Sequence, residues 1–232
     1  GDVLSITRVA AIHTSRDAPA HVHEQCRRTL AEARDTGYDS AKLNHSNRWA
    51  ELWDQTDMVI EGDEDAQIGI RFAIYHLLNS APYHSSDISY PARSLSGQDH
   101  WGSVHWDTEI FIVPFFTYSL PAVARNMLAY RSKTLDGAKR KAARLGYRGA
   151  YYAWESQENG DEKCPSCVFP SERTGRLMRN FFWDRQIHIS ADIVYTIWQY
   201  YEASCDMEFL SHCGAEIAAE VSRFHESHVF FD

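Results

Sequence analysis

The strongest constraint on the fold of this chain is an alternation: segments of helical periodicity are separated by two long polar stretches, at positions 80–105 and 156–184. Loops of that length inside a compact region are uncommon and usually functional. Helices are expected over 18–36, with Gly37 placed to stop the first, and over 40–53, with Leu43, Trp49 and Trp53 broadly on one side. Asp63 is placed to cap the next helix. Its apolar residues (Ile68, Ile70, Phe72, Ile74, Tyr75, Leu77, Leu78) cover more than one stripe, which predicts an inner helix buried on most sides. Further helices are expected near 107–119, 121–131 with Pro121 in its first turn, 133–145 stopped by Gly146, 188–203 and 206–228. Residues 1–14, with Val3, Leu4, Ile6, Val9 and Ile12, alternate imperfectly and read as a short extended segment. The pattern is that of an all-α toroid with its long loops on one side.

Composition excludes several classes of function. At 232 residues the chain suits one large domain or two small ones, and 44% hydrophobic with 24% charged residues is ordinary for a globular protein. No apolar run reaches the ~18 residues needed to cross a bilayer, so no membrane partner is expected. The net charge of −9 argues against nucleic acid. Five cysteines, an odd number without a small-scaffold framework, point to a reducing compartment and a cytoplasmic protein. Cys164-Pro165-Ser166-Cys167 has metal-site spacing, but Cys205 and Cys213 do not supply the second pair that zinc wants. His21 and His23 diverge by about 200° on a helix. No metal is therefore expected.

Two short motifs carry the chemistry. Trp106-Asp107 opens an apolar run, with Glu109 close behind, and Trp154-Glu155-Ser156 repeats the pairing of indole and carboxylate. An aromatic face stacks on the C–H face of a sugar while a carboxylate accepts hydrogen bonds from its hydroxyls. The pairs suggest a carbohydrate pocket. Asp107 has a plainer reading as a helix cap, and Trp154 with Glu155 as a buried ring beside a solvated acid. His188 and Asp192, four residues apart, share one helix face, where a structural histidine is an equal alternative. The run Arg140, Lys141, Arg144 and Arg148 reads as a solvated helix face.

These residues fall into ordered blocks that resemble glycoside hydrolase family 65. Ser94-Leu95-Ser96-Gly97, then Trp106 to Pro114, resembles its L-S-G…F-W-D-T-E-I-F…P block. Pro121-Ala122-Val123-Ala124-Arg125, with Tyr130-Arg131 and Leu135-Asp136-Gly137-Ala138, resembles P-x-x-A-R…Y-R…L-x-x-A-R. Gly146 to Tyr151 with Trp154-Glu155-Ser156 resembles G-Y-x-G-A…W-E-S, and His188 to Tyr195 with Trp198-Gln199-Tyr200 resembles H-x-x-A-D-I-x-Y…W-Q-Y. The resemblance implies inverting cleavage of α-glucosidic bonds, in disaccharides such as maltose, trehalose or kojibiose, by hydrolysis or phosphorolysis. It implies no cofactor, with inorganic phosphate as co-substrate in a phosphorylase. The fold implied is the first half or more of an (α/α)6 barrel. Residues 1–16 would be the terminal strand of an N-terminal β-sandwich, 17–57 linker helices and 58–232 an incomplete catalytic barrel.

By the same resemblance, Trp106, Asp107, Trp154, Glu155 and His188 bind the glucose, with Glu109 and Asp192 supporting. His100, Trp101 and His105 could cover the sugar, although His105 stands where the family usually has Phe. Asp107 and Glu109 cannot be the two carboxyls of an inverting pair, which sit ~6.5–9.5 Å apart on opposite ring faces, because two helical residues so close in sequence point in different directions. The family's general acid is expected beyond Asp232, so the chain reads as the glucose-binding part of an enzyme and catalytically incomplete. A sugar-binding protein without turnover is the alternative, and a terpenoid cyclase would demand an Asp-rich motif that does not occur. Half a toroid would leave Phe72, Ile74, Phe115 and Trp198 uncovered, so a homo-oligomer is expected.

Overall fold

A computed structural model describes residues 3–95 and 99–229; Ser96, Gly97 and Asp232, invoked above, lie outside them. The chain divides into two compact units, one ending at Asp57 and the other beginning at Met58. In the first, helix α1 (Val22–Thr36) stops at Gly37, whose N–H donates to Ala33 O at 3.2 Å, and α2 (Tyr38–Thr56) follows at once. Leu52 and Thr56 are buried on α2, and Trp49 and Trp53 approach to 6.2 Å between ring centroids. Leu43 stays exposed, so the expected stripe is formed only in its C-terminal half. The described part of the N-terminal segment, residues 3–14, forms no strand, and Val3, Leu4, Ile6 and Ile12 stand in solvent. A strand requires a ladder partner, and none of the described residues offers one.

The second unit begins with α3 (Glu64–Asn79), capped as expected by the Asp63 carboxylate accepting from Ala66 N at 2.9 Å. Its burial differs from the reading as an inner helix enclosed on most sides. Only Ile74 and Leu78 are buried, while Ile68, Phe72 and Tyr75 are exposed. Ile74 therefore leaves the group of uncovered residues. After the long polar stretch comes a π-turn over Thr108–Ile112, which runs into α4 (Val113–Ser119). Helices α5 (Pro121–Lys133) and α6 (Leu135–Arg144) follow, close to the expected spans. The second long stretch is not wholly irregular: β1 (Cys167–Pro170) pairs antiparallel with β2 (Leu177–Arg179). Short helices α7 (Phe182–Arg185) and α9 (Met207–Phe209) flank α8 (His188–Ser204), and a second π-turn at Leu210–Gly214 leads into α10 (Ala215–His228).

The core is helix on helix. α8 turns Ile189, Ile193 and Ile197 inward at a spacing of four, and α4 and α5, which pack against it, contribute Val113, Phe116, Ala124, Met127 and Leu128. Each large apolar side chain so buried stabilises the unit by about 1.5–3 kcal/mol. A second cluster joins α6 to α10, with Tyr151 stacked on Phe224 at 4.5 Å and Ala142 beneath. There Gly149 has φ +70°, and a Cβ on it would meet Glu220 O at 2.1 Å. The next amide, Ala150 N, donates to that same carbonyl at 2.9 Å. Gly149→Ala is expected to cost about 2–4 kcal/mol, from left-handed backbone plus forced separation. Denaturant unfolding at constant slope measures it, and an unchanged midpoint would contradict the close approach.

Phe72, Phe111, Tyr118, Tyr195 and Trp198 all remain at least half exposed. So much aromatic surface favours association. The isolated chain is expected to elute larger than its 26.6 kDa monomer on gel filtration. A clean monomer with a cooperative melt would contradict that. No helix among the described residues is long and apolar enough to cross a membrane.

Candidate functional site

The two indole–carboxylate pairs are brought together by an isolated antiparallel bridge. Val104 N donates to Ser156 O at 2.8 Å and Ser156 N to Val104 O at 3.0 Å. Trp106 lies two residues after one end of this bridge and Trp154 two residues before the other. His105 fills the space beside them, its ring edge-on to Trp154 at 5.6 Å. Trp106 in turn meets His188 edge-to-face at 4.9 Å and 90°. Both indoles are half-buried. The Trp106, Trp154 and His188 side chains named from the sequence thus share one neighbourhood.

Asp107 precedes the π-turn, yet it does not cap it: its backbone is already helical and its side chain makes no capping hydrogen bond. The plainer reading of this residue fails, because a cap needs the extended backbone that turns its oxygen back onto the helix. The carboxylate is half-exposed and has no partner among the described residues. Next to it, Trp106 Nε1 is buried and donates to nothing among the described residues. An unmet buried donor costs about 1–3 kcal/mol and demands an explanation. A free donor and a free acceptor on consecutive residues suit a hydroxylated ligand.

Glu109 points elsewhere, as expected. It is fully buried and grips Arg131 in a fork, Nε to Oε1 at 2.8 Å and Nη2 to Oε2 at 2.7 Å. Burial pushes its carboxyl upward and the guanidinium opposes that. A buried guanidinium does not give up its proton, so the pair is ionic. Arg131 Nη2 also donates to His105 O at 3.1 Å, which fixes the backbone just before Trp106.

The Trp154–Glu155 turn hangs from a single carboxylate. Glu162 accepts from Trp154 N at 2.8 Å, Glu155 N at 3.0 Å and Cys164 N at 3.0 Å, and Lys141 Nζ donates to it at 2.6 Å. Lys141 and Glu162 side chains are both buried, which corrects the reading of the basic run as a solvated face. Arg140, Arg144 and Arg148 are exposed, but Lys141 lies three residues after buried Ala138 and shares its face of α6. Trp154 stacks on Phe182 at 4.8 Å. Glu155 is buried rather than solvated and receives His100 Nδ1 at 3.0 Å. On α8, His188 is held at both ring nitrogens, Nδ1 by Asp192 at 2.5 Å and Nε2 by Gln186 at 3.1 Å. Trp101 is 85% exposed.

From the sequence Arg131 stands only within a motif block, Lys141 reads as solvated, and Glu162 is not marked at all. The helix spacing from Ala138 was the signal for Lys141; for Glu162, in a charged stretch, there was none. Cys164 and Cys167 do not act as a pair: Cys164 is buried, accepts from Asn180 Nδ2 at 3.1 Å, and is pushed up to about 12 chiefly by burial, while Cys167 is exposed. A thiol so protonated is a poor metal ligand.

The sequence matches the family model of the glycosyl hydrolase family 65 central catalytic domain over residues 71–232, and that of the family's N-terminal domain over residues 1–52. It is 42% identical over 224 residues to a nigerose phosphorylase of Lachnoclostridium phytofermentans, covering 97% of this chain and 30% of that protein. A kojibiose phosphorylase of Halothermothrix orenii is 38% identical, with 100% of this chain and 31% of that protein covered. A 1,2-alpha-glucosylglycerol phosphorylase of Bacillus selenitireducens is 40% identical over 100% of this chain and 30% of its own length. Among solved structures, one described as a kojibiose phosphorylase from the human microbiome superposes with TM-score 0.80 at 22% identity, over 92% of this chain and 27% of that one. The chain spans about 30% of the length of these curated relatives.

Proposed function

Because this chain belongs to glycosyl hydrolase family 65, we propose that it forms the glucose-binding side of an α-glucoside phosphorylase, which cleaves a disaccharide with inorganic phosphate and inversion. The observation that carries this reading is the pair of unpartnered groups on consecutive residues, the Trp106 Nε1–H and the Asp107 carboxylate. In this account the indole N–H donates to one sugar hydroxyl and the carboxylate accepts from its neighbours, with Trp154 offering its ring to the C–H face. His188, pinned by Asp192 and Gln186, backs the Trp106 ring, and Glu155 keeps its Oε2 for a hydroxyl while Oε1 takes His100. Glu109 acts through Arg131 on the backbone that carries Trp106.

On this reading, phosphate attacks the anomeric carbon from the face opposite the leaving oxygen, and a general acid protonates that oxygen. By the family resemblance the acid is assigned outside these 232 residues, and Glu109, held by Arg131, is not free to serve as one. The chain would then be catalytically incomplete alone, with no cofactor beyond the phosphate co-substrate. The helices of residues 58–232 would form part of an (α/α)6 barrel, with 17–57 as linker and 1–16 belonging to an N-terminal sandwich. A cytoplasmic protein, self-associating when separated from the remainder, completes the account.

The test is an assay of the whole protein that contains this chain, on kojibiose, nigerose, maltose and trehalose with and without phosphate. Glucose 1-phosphate formed only with phosphate is the expected result. Free glucose formed without phosphate, or no cleavage of any of the four, would overturn the phosphorylase reading.

A further inference from the structure

Three side chains beside the indoles gather their ligand atoms around one point. His100, His105 and Glu155 each offer a ring nitrogen or a carboxylate oxygen, and these atoms all lie within 4.8 Å of one another. His105 and Glu155 are buried, whereas the His100 side chain is 39% exposed. The two imidazoles meet edge-to-face at 4.6 Å. His105 Nε2 is buried with no hydrogen-bond partner among the described residues, in a residue only 3% exposed, so its capacity for a ligand is unused. A neutral imidazole is the form that binds a metal.

We infer that His100, His105 and Glu155 hold a divalent transition-metal cation, zinc foremost, which ties the Asp99–Gly102 turn to the Trp154–Glu155 turn. The donor set selects the class: two imidazoles and one carboxylate suit zinc and its neighbours, whereas magnesium and calcium favour oxygen cages. Metal–ligand bonds of about 2.0–2.2 Å in tetrahedral geometry place ligand atoms about 3.3 Å apart. His100 Nδ1 and Glu155 Oε1 are already 3.0 Å apart. The remaining contraction is between His105 and this pair, and His100, on the short Asp99–Gly102 turn, is the most exposed of the three. On binding, the cation replaces the hydrogen bond between His100 and Glu155, and His100 carries its ring proton on Nε2. The positive charge of Arg131 nearby is already neutralised by Glu109. Three protein ligands leave a position for water. Glu155 is shared with the proposed sugar site, but Zn2+ binding is read without sugar or phosphate, so its failure is distinguishable from failure of that reading.

The test uses the 232-residue chain stripped of metal, titrated with Zn2+ by calorimetry and with Co2+ by absorption. One Zn2+ per chain is expected, with a Co2+ spectrum of low-coordinate nitrogen and oxygen ligation and no sulfur-to-metal charge transfer. His105→Phe, which keeps a ring in the space, and Glu155→Gln are each expected to weaken binding at least about 100-fold. Zn2+ should raise the melting temperature of the unaltered chain and leave that of His105→Phe unmoved, with circular dichroism establishing that both variants fold. His45→Ala, in the first unit, should bind as the unaltered chain does. No stoichiometric Zn2+ binding, undiminished affinity in both ligand variants, or a thiolate charge-transfer band would each overturn the site.

Discussion

Arg131→Met is expected to lower stability by about 3–5 kcal/mol and the melting temperature by about 10 °C. Both partners of the Arg131–Glu109 pair are 0% exposed, so removing the guanidinium strands a carboxylate with no water to receive it. The same change frees the His105 carbonyl and removes a cation lying over the Tyr130 and Tyr152 rings. Arg131→Lys should recover little, because an ammonium cannot reproduce a fork that reaches both oxygens of Glu109. The double variant Arg131→Met/Glu109→Leu should recover most of the loss, since it leaves no buried charge. Chemical denaturation of these three variants beside the unaltered chain and Glu109→Leu, which completes the cycle, checks this. A loss below about 1 kcal/mol in Arg131→Met would show that the pair behaves like an exposed one.

The second large effect is expected at Glu162. Glu162→Leu removes the acceptor of three backbone amides and leaves the Lys141 ammonium buried without its counter-ion. The cost should again be about 3–5 kcal/mol. It should also loosen Trp154, whose amide is one of the three, and so reduce the ordered stacking on Phe182. Lys141→Met should be milder. It keeps an apolar stem against Tyr151, and the three amides still stabilise the Glu162 carboxylate. Denaturant melts together with near-ultraviolet circular dichroism read both effects. Equal losses in the two variants would contradict the anchoring role.

Much of this was legible in the sequence because it is local. The Asp63 cap, the stop at Gly37, Pro121 at a helix start and the helix near 188–203 all follow from rules that act within a turn or two. Trp106-Asp107 and Trp154-Glu155 were legible as a chemical pairing of residue types. What joins them was not. The bridge of Val104 to Ser156 and the fork of Arg131 on Glu109 depend on segments brought together only by the finished fold. The burial of α3 was over-read because periodicity reports apolar faces and not whether anything covers them: Phe72 and Ile74 look alike in sequence, yet one is exposed and the other buried. The hairpin of β1 and β2 escaped because its strands are short and lie in a charged stretch.

The site rests on the idea that Trp106 and Asp107 hold unspent hydrogen-bonding capacity for a pyranose. A glucose titration followed by the indole N–H resonances of 15N-labelled chain tests this most directly, since the seven tryptophans report separately. The Trp106 resonance is expected to move with glucose in a saturable way, and Asp107→Ala should weaken that response by about tenfold or more. A Trp106 resonance that stays fixed, or shifts confined to exposed rings such as Trp101 and Trp198, would contradict the account.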